Sequence, residues 1–141
     1  MHPRDAIARI HRANALRRAQ RPSGDDERQL AQAFACHHVL AVYGTLAPGR
    51  ENHHVLAPCP GVWSDGTVTG RRAQRGFPVF TFDPAAGPVP VHVLRSEALA
   101  AAWPGLDDFE GADYRRILVP VFAGGRLHAV ANLYEAVVPV D

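Results

Sequence analysis

The sequence predicts an α+β fold: a small, partly closed mixed β-barrel with one main helix late in the chain, preceded by a helical N-terminal extension. Three observations predict it. Short β-rich runs bounded by glycine and proline recur from residue 39 onward. The last two, residues 114–123 and 126–138, are joined by Gly124-Gly125, the two-residue link of a β-hairpin. Ser96, with Glu97 after it, marks the start of a single late helix. A chain of 141 residues suffices for one barrel domain, 37–141, beyond an extension of 1–36.

The extension is rich in Ala, Arg and Gln and nearly free of β-branched residues. Ile7, Ile10, Ala13 and Leu16 recur at helical spacing, with Arg9, Arg12, Arg17 and Arg18 left for the opposite side. Arg21-Pro22-Ser23-Gly24 punctuates, and Asp25-Asp26-Glu27 forms the acidic first turn of a second helix carrying Leu30 and Phe34. These helices are expected to pack on the domain or to build a homodimer.

At Val39 the pattern changes. Val39-Leu40-Ala41-Val42-Tyr43 is a buried strand, followed directly by the loop Gly44-Thr45-Leu46-Ala47-Pro48-Gly49. Small residues there let backbone N–H groups converge on an anion such as a carboxylate, although a plain strand-to-loop turn has the same composition. A short helical turn is expected over residues 52–56. Val62, Trp63, Val68, Phe77, Val79 and Phe80 supply strand material, with a turn expected at Asp65-Gly66. Another strand covers residues 89–94. The helix from Ser96 runs through Trp103, and Pro104 is expected to end it and open a second short turn. In the hairpin, Ile117, Val119 and Val121 are expected to share one face. Arg115 and Arg116 are read as exposed strand residues.

Between helix and hairpin lies Leu106-Asp107-Asp108-Phe109-Glu110-Gly111. A carboxylate beside a glycine, where a helix gives way to a strand, is well placed to face a cleft. Glu110, between Phe109 and Gly111, is the acid expected to lean inward. Burial would raise its pKa and let it exchange protons near neutrality. A solvated helix end is the bland alternative.

Other chemistries find little support. Ser23, Ser64 and Ser96 lack the G-x-S-x-G of a hydrolase, and no P-loop or Rossmann fingerprint is present. His37-His38 and His53-His54 are adjacent pairs whose side chains diverge, so neither clamps a metal. Cys36 and Cys59 suit neither a disulfide framework nor a zinc site. All 15 basic side chains are arginine, a usage that fits a GC-rich genome. With a formal charge of +1 and no aromatic platform beside the arginines, no nucleic-acid partner is expected. No membrane partner, secretory signal, metal or cofactor is expected either, and the default location is cytoplasmic.

Val42-Tyr43-Gly44-Thr45-Leu46, then Pro48-Gly49 and Asn52-His53, resembles the opening motif of the gamma-glutamylcyclotransferase-like proteins, nearest to the gamma-glutamylamine cyclotransferase branch. Trp103-Pro104, the run 106–111 and Tyr114-Arg115-Arg116 resemble the second motif, and Ala131-Asn132-Leu133-Tyr134 the last core strand. The resemblance spans residues 39–138. It implies a compact barrel with a small-molecule γ-glutamyl substrate and no cofactor. The implied reaction is cyclisation of the γ-glutamyl group of a small amine or amide to 5-oxoproline, with release of the free amine. By the same resemblance Glu110 would take the role of catalytic acid/base, backbone groups of Tyr43, Gly44, Thr45 and Leu46 would hold the substrate, and Tyr114 and Tyr134 would line the pocket.

Such a reaction needs little from the protein. The substrate's own α-amine attacks its own γ-carbonyl, so folding the substrate supplies a high effective concentration. One carboxylate can then move the proton from ammonium to leaving amine. Val91-His92 stands where the family usually carries a Gly-Glu pair, and a bulkier residue there is expected to bear on the pocket. A catalytically silent barrel that binds a small amino-acid-like ligand is the alternative, and an interaction protein working through the basic first helix is a third.

Overall fold

The computed structural model describes all residues, 1–141. Two helices open the chain, α1 (Pro3–Arg18) and α2 (Asp25–Phe34), and a 3₁₀ turn at Cys36–His38 leads into β1 (Val39–Val42). After a second 3₁₀ turn, His53–Leu56, come β2 (Val62–Gln74), β3 (Pro78–Phe82), β4 (Pro88–Arg95), α3 (Leu99–Glu110), β5 (Tyr114–Ala123) and β6 (Arg126–Ala136). No helix is long and apolar enough to cross a membrane.

The strands run in the order β3-β2-β4-β1-β6-β5, and β2 also meets β5 through Thr67 and Phe122. That last pairing closes β2, β4, β1, β6 and β5 into a ring and leaves β3 as an appended strand. β1 runs parallel to β6, and every other pair is antiparallel, so the barrel is mixed. The Gly124-Gly125 hairpin is present, with φ of 59° and 75°, values that favour glycine at both positions.

Asp65-Gly66 makes no turn. It lies inside the thirteen-residue β2, whose first part pairs with β4 and whose last part pairs with β3. Gly66 serves the closure instead: a Cβ there would stand 2.5 Å from Val121 and 3.0 Å from the Phe122 carbonyl. Gly70, where β2 passes from one partner to the other, lies under the Phe80 ring, 2.3 Å from a would-be Cβ. Both glycines permit close approach.

Pro104 does not end its helix either. α3 continues to Glu110 because Leu99, Trp103 and Leu106 fall on one face and are all buried. Their burial offsets the roughly 3 kcal/mol that an interior proline costs a helix.

α1 packs along β5 and α2 against β6. The buried face of α1 is Ala6, Ile10, Ala13 and Asn14, with Ile7 and Leu16 half-buried at its margins, so the face is turned from the expected stripe. Helical cover explains a further departure in the hairpin. Ile117 to Val121 are all buried, not alternate residues only, because one side of β5 meets the barrel interior and the other meets α1. Asn14 enters the backbone pattern directly: its side-chain nitrogen donates to the Leu118 carbonyl and its oxygen accepts from the Leu118 amide, both at 2.8 Å. It thereby satisfies a β5 peptide on the side away from β6, where no strand pairs with it.

Arg115 and Arg116 are ion-paired and half-buried, not exposed. Arg115 donates to the fully buried Glu135, and Arg116 to Asp107 and the buried Asn132 while lying over the Trp103 ring. The packing of α1, α2 and α3 around these strands covers part of each side chain.

Candidate active site

The end of β1, the start of β3, the end of α3, the start of β5 and the end of β6 meet at one mouth of the barrel. Tyr43, Gly44, Thr45, Leu46, Glu110, Tyr114 and Tyr134 all line a cleft there, joined by Ala41, Val42, Phe77 and Pro78. The space is small, about 60 Å³. At roughly 10–15 Å³ for each water, it holds about as many waters as an α-amino-acid end has non-hydrogen atoms.

The turn after β1 is held from behind. The Thr45 hydroxyl accepts from the Asn52 side chain at 3.0 Å, the Thr45 carbonyl accepts from the Asn52 amide at 2.9 Å, and His53 bonds the Leu46 carbonyl at 2.9 Å. The carbonyls are thus engaged, whereas the amides of Gly44, Thr45 and Leu46 donate to no acceptor within the chain. Three successive free N–H groups beside a cleft suit an anionic or carbonyl oxygen. Gly44 also lets the turn lie against Pro78, which a Cβ would meet at 3.3 Å.

Glu110 occupies the last position of α3, one step along the face that buries Leu99, Trp103 and Leu106. This helical face, more than its neighbours, turns it inward, for Phe109 points to solvent. Gly111, with φ of 78°, ends the helix there. The Glu110 carboxyl has no hydrogen-bond donor or cation beside it within the chain, and burial pushes its pKa up to about 7. The other acids of the segment stay in water, Asp107 partly excepted.

The three tyrosines surround this carboxyl. Burial, and then the Tyr114 and Glu110 charges, push the Tyr43 phenol well above its ordinary range. Burial first and Glu110 second raise Tyr114 to about 12, and burial with the bond to Asp107 raises Tyr134. All three keep their protons at neutral pH. Their hydroxyls are spent within the fold: Tyr43 donates to the Tyr134 carbonyl at 2.8 Å, Tyr114 to the Pro78 carbonyl at 2.8 Å, and Tyr134 to Asp107 at 2.7 Å. A bound molecule therefore meets their rings and the acceptor side of their oxygens.

The sequence reading missed Phe77 and Pro78, which reach the cleft only through the pairing of β3 with β2, and missed Asp107 as an anchor for Tyr134. The spacing of Asp107 to Glu110 along one helix was the available signal for the second. Val91 is buried in the core, and His92 is exposed and bonded to Asp65 at 2.9 Å. Neither lines the cleft, although His92 pairs with Val42, which does. No three His, Cys, Asp or Glu side chains converge as metal ligands.

The family model described as gamma-glutamyl cyclotransferase, AIG2-like, matches residues 40–139. The chain belongs to this family. Within the gamma-glutamyl cyclotransferase, AIG2-like family, the matched region begins in β1 and takes in the whole barrel, the cleft turn and α3. Among solved structures, an uncharacterized protein from Pyrococcus horikoshii is 20% identical with a TM-score of 0.56, covering 72% of this chain and 80% of that one. YkqA from Bacillus subtilis is 26% identical with a TM-score of 0.58, over 70% of this chain and 35% of its own length. A protein specific to uropathogenic E. coli is 18% identical with a TM-score of 0.54, over 70% and 79%. These likenesses are of fold. No curated protein matches the sequence.

Proposed function

We propose that the protein is a cyclotransferase acting on a small γ-glutamyl amine or amide, releasing 5-oxoproline and the free amine, with Glu110 as its general acid/base. The observation that carries this reading is the Glu110 carboxyl, unpartnered, at the cleft, with a pKa of about 7. A carboxyl with that value is half ionised at neutrality and exchanges protons in either direction.

The steps balance without any other reactant. Glu110 takes a proton from the substrate α-ammonium, and the freed amine adds to the γ-carbonyl carbon, forming the ring C–N bond. The free amides of Gly44, Thr45 and Leu46 donate to the substrate's carboxylate and to the oxygen that gains charge. The original amide C–N bond then breaks as Glu110 returns the proton to the leaving nitrogen. The ring nitrogen gives up its second proton, again through Glu110, to the departing amine, which leaves as an ammonium. The rings of Tyr43, Tyr114 and Tyr134 close the cleft around the folded substrate and favour the compact conformer that ring closure needs.

The test is 5-oxoproline release from γ-glutamyl-ε-lysine, a γ-glutamyl dipeptide and glutathione, each with wild type and Glu110→Gln. Release that falls about a hundredfold or more in the variant supports reaction and residue together. The productive substrate identifies the branch. No release by a folded wild type favours the silent binding barrel, and equal release by both proteins removes Glu110 from the mechanism.

A further inference from the structure

A second concavity of about 830 Å³ lies where α1 and α2 meet α3, β5 and β6. Five arginines line it, Arg17, Arg18, Arg21, Arg115 and Arg116, against two lining acids, Glu27 and Asp107. Four of the five are held in two close pairs. The buried Asn132 oxygen accepts from Arg17 at 2.8 Å and Arg116 at 2.9 Å. One oxygen of the fully buried Glu135 accepts from Arg18 at 3.0 Å and Arg115 at 2.9 Å. Bringing guanidinium groups together on a single shared oxygen costs repulsion. Glu27 on Arg17 and Asp107 on Arg116 offset it at Asn132, whereas Arg18 and Arg115 share the one carboxylate of Glu135. Arg115 keeps both terminal nitrogens without a partner, and Arg21, at the rim, has no carboxylate at all. With Glu135 behind the wall counted, the lining retains an excess of two positive charges at neutral pH.

We propose that this groove binds a small organic polyanion, a phosphate ester or polycarboxylate, through Arg18, Arg21 and Arg115. Arg18, through Nε and Nη2, and Arg115, through Nε, are fixed from behind by the buried Glu135. This preorganises their remaining N–H groups for carboxylate or phosphate oxygens, and Arg21 adds a free guanidinium at the rim. The volume exceeds that of an inorganic ion, and the acids on its walls, Glu27 and Asp107, make it a poor track for a nucleic-acid backbone. The groove is not the cleft at the barrel mouth, though Tyr114 and Tyr134 border both.

The experiment is calorimetric titration of the full chain with pyrophosphate and with citrate at low and moderate salt. Substitutions at two exposed rim positions whose side chains carry no internal bond, Arg21→Glu and Ser23→Glu, leave the Glu135 and Asn132 clusters intact. Binding by wild type of either probe, weakened tenfold or more by each variant and by added salt, is expected. The preferred probe separates phosphate from carboxylate chemistry. Absence of binding to both probes at millimolar concentration overturns the proposal, as does binding that neither variant changes. The readout is heat of binding, so failure of the cyclisation assay leaves this result unaffected.

Discussion

Replacing Glu110 by glutamine is expected to stabilise the protein at alkaline pH while abolishing its proposed chemistry. The carboxyl is raised from an ordinary 4.5 to about 7 by burial alone. It therefore holds its proton more tightly when folded than when unfolded. That favours the native state below about pH 4.5, and the advantage is lost as pH rises through about 7, after which the ionised side chain is a constant burden. A rise of about 2.5 on the pH scale, at 1.36 kcal/mol for each, is about 3.4 kcal/mol, and partial contact with solvent lowers this to about 2–3 kcal/mol. Glutamine keeps the shape and carries no charge at any pH. Urea denaturation of both proteins at pH 4.5, 6, 7 and 8.5 measures the difference. Relative to wild type, the variant should gain about 2–3 kcal/mol between the lowest and highest pH, moving its midpoint by about 1 M urea. A difference in stability that does not change with pH would show that Glu110 is as well solvated when folded as unfolded, and the argument for its raised pKa would fail.

Three further outcomes are expected. With a productive γ-glutamyl substrate, kcat/KM should climb about tenfold for each pH unit below 7 and bend near 7, as ionisation of a general base requires; a flat profile from pH 5.5 to 8 counts against Glu110 in that role. Asn14→Leu removes both bonds to the Leu118 peptide and should cost about 2–4 kcal/mol in urea denaturation, whereas a loss under about 1 kcal/mol would mean that water replaces the side chain there. Gly70→Ala drives a methyl group into the Phe80 ring and the Thr81 carbonyl and should cost about 1–3 kcal/mol or more; a thermal midpoint equal to wild type would show that the Phe80 ring moves aside freely.

What the sequence revealed of this molecule was mostly local. Gly124-Gly125 specifies its hairpin from two adjacent residues, and the acidic start of α2 and the 3₁₀ turn at 53–56 are equally short-range. Glu110 was legible because position and chemistry coincide: a carboxyl before a helix-ending glycine. Asp65-Gly66 misled because turn propensity is a property of a dipeptide, while β2 is held straight through it by β4 on one side and the approach of β5 on the other. Pro104 misled for a similar reason, since burial of Trp103 and Leu106 outweighs the local cost. The arginine pairs were beyond reach altogether. Arg18 and Glu135 stand 117 residues apart, and nothing in either segment announces the other.

Asn14 and Leu118 are likewise 104 residues apart, and the order in time is fixed by the direction of synthesis. The first helix leaves the ribosome long before the peptide it will clasp exists. Until residue 118 has emerged and β5 has joined the ring, the apolar side of that helix has only α2 of its own chain to pack against. Once the ring forms, its seam stays bare until the helix returns. The segment made first thus completes its packing only when one of the last strands exists.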